Sequence, residues 1–148
     1  MPRAIEIVLV TVVVIAAWSD WQTRRIPNWI TVSGATLGLG LHAWYGGLQD
    51  LWTSLEGAVV GLAIFIVFFI AGGMGAGDVK LFGAVGALVG PEALVLVFVF
   101  TGLLGGIAAA GVGICRRDWR ATLPYGAVIC AGTLLFVAAE RICRVIEY

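Results

Sequence analysis

Two aspartates, Asp20 and Asp78, each adjoin a long apolar segment and a local signal that disrupts a helix: Pro27 in the first case and the glycines from Gly73 to Gly77 in the second. An ionisable side chain costs about 2.5 to 3.5 kcal/mol at the centre of a bilayer, so a retained one is a candidate functional group. Two carboxylates in one small site share a proton. The ionised member can then activate water while the protonated member polarises a peptide carbonyl, so the pair predicts aspartic-protease chemistry.

The composition indicates the elements that must position these side chains. Hydrophobic residues make up 61% of the 148 residues, charged residues only 12%, and the mean hydropathy is +1.03, which indicates an all-α integral membrane protein. The net charge of zero gives no sign of nucleic-acid binding. We predict a single domain over residues 1–148, without a separate soluble domain, that contains six transmembrane helices. Their predicted bounds are Ala4–Trp18, Trp29–Tyr45, Leu55–Ala71, Val79–Val89, Ala93–Ile114 and Pro124–Cys143.

The order of these spans predicts that both aspartates lie at the same membrane face, because Asp20 follows one crossing and Asp78 follows three. Arg24, Arg25 and Lys80 lie beside them, and the loop between the fifth and sixth spans also carries arginines. By the positive-inside tendency, this face is predicted to be the cytoplasmic face of the plasma membrane. The other acids are interpreted as solvated groups at span ends or in loops: Glu6, Asp50, Glu56, Glu92, Asp118, Glu140 and Glu147.

Other hydrolase designs have little support in the sequence. The only histidine, His42, is predicted at the opposite face, so no serine has an activating base nearby. A zinc site would need more ligands than one histidine and three separated cysteines offer, and the cysteines (Cys115, Cys130 and Cys143) are interpreted as small buried hydrophobic residues. No metal and no cofactor are expected.

Two segments resemble a known family. "GMGAGDVK" contains the GxGD signature from Gly75 to Asp78, and "DWQTRRIPN" begins at Asp20 and ends at Asn28. Together they resemble the catalytic segments of type IV prepilin peptidases, which are GxGD intramembrane aspartyl proteases. "LPYGA", from Leu123 to Ala127, is similar to the entry to the last helix in these enzymes, with alanine where a second proline is frequent.

The resemblance implies roles for particular residues. Asp20 and Asp78 would be the catalytic pair, and Gly75 and Gly77 would let backbone approach the substrate or the first helix. The neighbouring cations, Arg24, Arg25 and Lys80, would bias the pair or bind substrate acids, although membrane orientation explains them equally well. Pro27 and Asn28 would shape the turn into the second helix.

The family implies a substrate class as well. Its substrates are prepilin-like membrane proteins with a short basic leader and a long apolar helix, cleaved at the cytoplasmic face. The larger members add a cytoplasmic portion with paired CxxC motifs and methyltransferase activity. The 148 residues have neither the length nor the cysteines for that portion, so the chain resembles the short, peptidase-only members of tight-adherence (Flp-type) pilus systems or their archaeal relatives.

Two alternatives stay open. One is a protease of the presenilin or signal-peptide-peptidase type. Those proteins place their first aspartate in a YD motif, whereas Ser19 precedes Asp20 here. The other is a small carrier or channel subunit that uses Asp78 for ion coupling. The sequence also leaves open a homo-oligomer, a bacterial or archaeal host, and whether the aspartates meet without substrate.

Overall fold

The computed structural model describes the backbone of residues 1–116 and 125–146, and the side chains of residues 1–111 and 125–146. This part of the chain is all-helical, with four helices and no strand. Each helix is apolar and long enough to cross a membrane, which confirms a multi-pass membrane protein. The helices are α1 (Arg3–Thr23), α2 (Asn28–Ile70), α3 (Ala76–Arg116) and α4 (Tyr125–Ile146). The predicted arginine loop before α4, Cys115 and Asp118 lie outside the residues whose side chains are described.

The prediction of six helices was wrong, because the described residues form four. The second and third predicted spans belong to α2, and the fourth and fifth belong to α3. Within each long helix, one glycine has non-helical backbone angles: φ 67° and ψ −148° at Gly47, and φ 79° and ψ 169° at Gly90. Helical structure resumes directly after each glycine, so the polar residues predicted as loops are helical instead. Pro91 is tolerated after Gly90 because the first residue of a helical segment needs no N–H donor.

The two halves of α2 lie side by side against the first half of α3. A straight helix would separate His42 from Ser54 by about 18 Å. The His42 ring nitrogen Nε2 nevertheless lies 3.0 Å from the Leu88 carbonyl oxygen, and the Ser54 hydroxyl donates a 2.6 Å hydrogen bond to the neighbouring Ala87 carbonyl. The chain therefore reverses direction at Gly47.

A similar reversal occurs in α3 at Gly90. The rings of Phe82 and Phe98, on either side of this glycine, have centroids 6.2 Å apart, whereas a straight helix would separate these residues by about 24 Å. Phe65 from the second half of α2 stacks on Phe82 with a centroid distance of 3.8 Å. These rings join the second half of α2 to both halves of α3.

The first and last helices run antiparallel. At one end, the backbone N–H of Gly126 at the start of α4 contacts Asp20 near the end of α1. At the other end, Arg141 forms an ion pair with Glu6. Glu6 is only 5% exposed, so its interpretation as a solvated group was wrong; the arginine supplies the compensating charge that burial requires.

Candidate functional site

Asp20 lies in the last turn of α1 with 7% of its surface exposed. Its Oδ2 accepts a 3.0 Å hydrogen bond from the backbone N–H of Gly126 in the first turn of α4. The absence of a side chain at Gly126 permits this contact, because a Cβ there would lie 2.9 Å from both Cβ and Oδ2 of Asp20. The positive end of the α4 dipole also favours a carboxylate at this position.

The α1 helix ends at Thr23, about one turn after Asp20. Arg24 adopts the left-handed conformation with φ 53°, and its N–H donates a 2.9 Å hydrogen bond to the Asp20 carbonyl oxygen. For a residue with a side chain, this conformation costs about 1 to 2 kcal/mol. The hydroxyl groups of Ser19 and Thr23 both donate to the Arg25 carbonyl oxygen, which stabilises the turn. Pro27 then precedes the first residue of α2, Asn28.

Asp78 lies in the first turn of α3 with 8% of its surface exposed. Its Oδ2 accepts a 3.2 Å hydrogen bond from the N–H of Gly75, the residue before the helix. This contact is one half of a capping arrangement, in which a side chain in the first turn binds the N–H that precedes the helix. The GxGD sequence therefore encodes a helix start that also fixes its own aspartate.

Gly77 brings the start of α3 against the connection between α1 and α2. A Cβ at Gly77 would lie 3.2 Å from Cβ of the buried residue Ile26, a tighter contact than side chains ordinarily make. The absence of a side chain thus lets the segment that carries Asp78 approach the segment that follows Asp20. The role predicted for Gly77 was close approach to the substrate or the first helix, and the contact found is with Ile26 in the connection after that helix.

Asp20 and Asp78 line one cavity of about 330 Å³, and their charges are close enough to interact. The cavity is also lined by Arg24, Arg25 and Gly75, so the structure brings together most of the predicted site residues. The other lining residues are Ile26, Ala76 and Gly77. Two carboxylates that line one cavity repel each other when both are ionised, so the site favours a state in which one of them is protonated.

Three predicted residues do not line this cavity: Lys80, Pro27 and Asn28. Lys80 is exposed, and its Nζ donates a 3.0 Å hydrogen bond to Oδ1 of Asn28. This bond connects the first turn of α2 to α3. Lys80 and Asn28 therefore form a contact between two helices near the cavity without lining it.

Gly126 is the site residue that sequence reasoning missed. The motif that contains it, "LPYGA", is similar to a helix entry in prepilin peptidases, but no spacing in the sequence indicates that its glycine contacts Asp20. The antiparallel pairing of α1 and α4 creates this contact. Within the described residues, no group of three histidine, cysteine, aspartate or glutamate side chains could hold a metal ion.

An apolar cavity of about 290 Å³ adjoins the segments that hold the two carboxylates. Met74 and Tyr125 line it, and they directly precede Gly75 and Gly126, the two glycines that donate hydrogen bonds to the aspartates. The cavity continues along the second half of α3 past Gly102 and Gly106, where an added Cβ would meet no atom within 4 Å.

The fold and the site define a class: a multi-pass helical membrane protein with two buried aspartates in one cavity at the helix ends. The model of the type IV leader peptidase family matches residues 7–110. The chain therefore belongs to the type IV leader peptidase family, which confirms the resemblance found in the sequence.

Individual relatives agree with this assignment. The chain is 33% identical over 139 residues to the prepilin leader peptidase/N-methyltransferase of Bacillus subtilis (strain 168), in an alignment that covers 87% of this chain and 53% of that protein. It is 31% identical over 124 residues to the protein of the same name from Escherichia coli (strain K12), with 78% and 54% covered. The chain spans about half the length of these relatives. No solved structure matches it.

Proposed function

We propose that this protein is an intramembrane aspartic endopeptidase that cleaves the leader peptide of prepilin-like precursors. The observation that carries the proposal is the cavity shared by Asp20 and Asp78, which come from opposite ends of two different helices. The names of the relatives supply the substrate class, since each is called a prepilin leader peptidase.

In the proposed mechanism, one aspartate is ionised and the other is protonated. The ionised carboxylate removes a proton from water, and the resulting nucleophile attacks the carbonyl carbon of the scissile peptide bond. The protonated carboxyl group donates its proton to the carbonyl oxygen as the tetrahedral intermediate forms. Collapse of the intermediate returns that proton to the carboxylate, and the first aspartate transfers the proton taken from water to the departing amine nitrogen. The pair returns to its starting state without a metal or a covalent intermediate.

The two glycine N–H groups have a positioning role in this mechanism. Each donates a hydrogen bond to Oδ2 of one aspartate, which restrains both carboxylates before substrate arrives. Such preorganisation lowers the barrier because the reacting groups need not be ordered during the reaction.

We propose that the site faces the cytoplasm and that the four helices make six crossings. The reversals at Gly47 and Gly90 support two crossings for each long helix. Arg24, Arg25 and Lys80 all lie at the aspartate end of the bundle, which is the distribution of positive charge typical of a cytoplasmic face.

The apolar cavity supports a substrate with an apolar segment next to its cleavage site. In the proposed complex, the apolar helix of the precursor lies along Gly102 and Gly106, and its polar leader extends from there past Met74 and Tyr125 toward the carboxylates. The peptide bond must leave the helical conformation to be cleaved, since a helical carbonyl is already hydrogen-bonded.

The test is cleavage of a defined substrate by the purified protein in liposomes. The substrate is a precursor with a short basic leader and one apolar helix, and mass spectrometry identifies the products. We expect one cut between the leader and the helix. An intact substrate, together with proton flux across the liposome membrane, would contradict the proposal and favour the carrier alternative.

A further inference from the structure

Another cavity, with charged side chains in its lining, lies between the start of α1 and the end of α4, remote from the two aspartates. Its volume is about 640 Å³, and it is lined by Arg3, Glu6, Ile7, Arg141, Arg144 and Val145. Arg3 and Asp20 lie near opposite ends of α1, so the two cavities are separated by about 25 Å along the helix. The proposed peptidase mechanism uses none of these residues.

Ion pairs hold two of the three arginines in place. Nε of Arg141 lies 2.5 Å from Oε1 of the buried residue Glu6, and Nη2 of Arg144 lies 2.5 Å from Oε1 of Glu140. Glu140 also accepts a 3.2 Å hydrogen bond from the amino group of Met1. The two glutamates therefore orient the guanidinium groups at the cavity.

The ion pairs leave hydrogen-bond donors and positive charge in excess. A guanidinium group has five N–H donors, and the contacts with Glu6 and Glu140 occupy one nitrogen each of Arg141 and Arg144. Arg3 adds a third guanidinium group. Three guanidinium groups and one carboxylate, that of Glu6, line the cavity, so positive charge is in excess among its lining residues. Phosphate is an anion suited to an arginine cluster, because the planar fork of donors matches two phosphate oxygens.

The walls of the cavity are suited to hydrocarbon. Ile7 is 65% exposed and Val145 is 76% exposed, and both lie on helices that are apolar enough to cross the membrane. A ligand for this site would thus combine a phosphate group with apolar chains that run along α1 and α4.

We propose that this cavity binds the headgroup of an anionic phospholipid, with its phosphate between Arg3 and Arg144 and its acyl chains against Ile7 and Val145. The site is independent of the proposed peptidase activity. It joins the start of α1 to the end of α4, and these are the two helices whose other ends form the Asp20 contact.

The experiment measures lipid retained by the purified full chain. Protein in detergent is equilibrated with equal amounts of phosphatidylglycerol and phosphatidylcholine, and native mass spectrometry counts the bound lipids. Arg3→Gln keeps both ion pairs intact, and we expect it to lower the retention of phosphatidylglycerol about tenfold, as expected for loss of one charged hydrogen-bonding group. Arg3→Lys should restore part of it.

Arg25→Gln is the matched control, because it removes an arginine from the other end of α1 and should leave lipid retention unchanged. Equal retention of the two lipids by the unmodified protein, or an equal loss in Arg3→Gln and Arg25→Gln, would overturn the proposal. Displacement of the lipid by millimolar glycerol phosphate would also overturn it, since the ligand would then be a soluble phosphate.

Discussion

At the scale of single residues, the site depends on positions where a side chain is absent. Gly126 and Gly75 each donate a backbone N–H to one aspartate, and Gly77 lets the two aspartate-bearing segments touch. A carboxylate buried in a membrane protein needs such donors, because an uncompensated charge is too costly to keep. The glycines thus have a direct part in positioning the acids.

Replacing Gly126 with alanine tests this dependence. The new Cβ would lie 2.9 Å from Asp20 Oδ2, so the carboxylate must move, and we expect prepilin cleavage to fall at least about tenfold. Overpacking of this kind costs about 1 to 3 kcal/mol in stability. Initial rates and thermal unfolding in detergent measure both effects.

Gly40→Ala is the control for Gly126→Ala, since a Cβ at Gly40 meets no atom within 4 Å. It should keep full activity and gain about 0.5 to 1 kcal/mol in stability through its better helix propensity. Full activity in Gly126→Ala would show that the Gly126 contact does not position Asp20.

At the scale of elements, the close pairing of α2 and α3 determines the geometry. Gly38 and Gly61, on either side of the reversal at Gly47, lie against backbone atoms of Ala87 and Phe82 in the first half of α3. Small residues permit this approach, which matters in a membrane because packing replaces the hydrophobic effect as the main attraction between helices. The pairing fixes the start of α3, and therefore Asp78.

Gly57 offers the sharpest test of this packing. A Cβ added at Gly57 would overlap the backbone carbonyl oxygen of Gly86. A backbone atom cannot move aside as the end of a flexible side chain can. We expect Gly57→Ala to lower stability by about 1 to 3 kcal/mol or more, measured as a lower midpoint of thermal unfolding. Gly102→Ala, at an open position in α3, should leave the midpoint nearly unchanged; equal midpoints in the two variants would argue against the α2–α3 pairing.

The elements also show how far the sequence can predict the structure. Asp20, Asp78 and the GxGD helix start are local patterns. The order of apolar segments predicted both aspartates at one membrane face, and the structure brings both to one cavity. The segments around Gly47 and Gly90 were predicted as loops, since glycine, proline and polar residues normally end helices. In the structure, non-helical backbone angles are confined to one glycine in each segment, and the chain reverses there. The contacts of Gly126 with Asp20 and of Glu6 with Arg141 join residues distant in sequence, so local patterns contain no signal for them.

At the scale of the whole molecule, the bundle separates two polar ends. The aspartate cavity lies at one end, and the arginine cavity and His42 lie at the other, where His42 lines a cavity with Met1 and Glu140. This separation matches the prediction that His42 is remote from the candidate site. The proposed double crossing of α2 would place its middle, around Gly47, at the end opposite the aspartates.

Labelling of single cysteines tests the proposed topology. In a variant with the three native cysteines replaced, Gln22→Cys and Gln49→Cys place a thiol at exposed positions near opposite ends of the bundle. We expect an impermeant maleimide to label residue 49 in intact cells and residue 22 only after the membrane is opened. Labelling of both residues from the same side would contradict the six crossings.

Filling the apolar cavity tests the proposed substrate position. Gly102→Leu would occupy open space, so the fold should be retained, and we expect KM for the precursor to rise about tenfold with a smaller change in kcat. Gly40→Leu introduces the same side chain at an open position of α2 and should not change KM. An unchanged KM in Gly102→Leu would place the substrate helix elsewhere.

The central claim is that Asp20 and Asp78 act as one catalytic unit, and the rates of the two single asparagine variants and of the double variant test it most directly. Each variant is reconstituted with the same precursor, with Asp50→Asn as the control for loss of an acid near the opposite end of the bundle. We expect Asp20→Asn and Asp78→Asn each to lower the rate at least about a thousandfold, and the double variant to be no slower, because residues that act as a unit are not additive. Cleavage in either single variant at more than about a tenth of the normal rate, with the protein folded and inserted, would contradict the account.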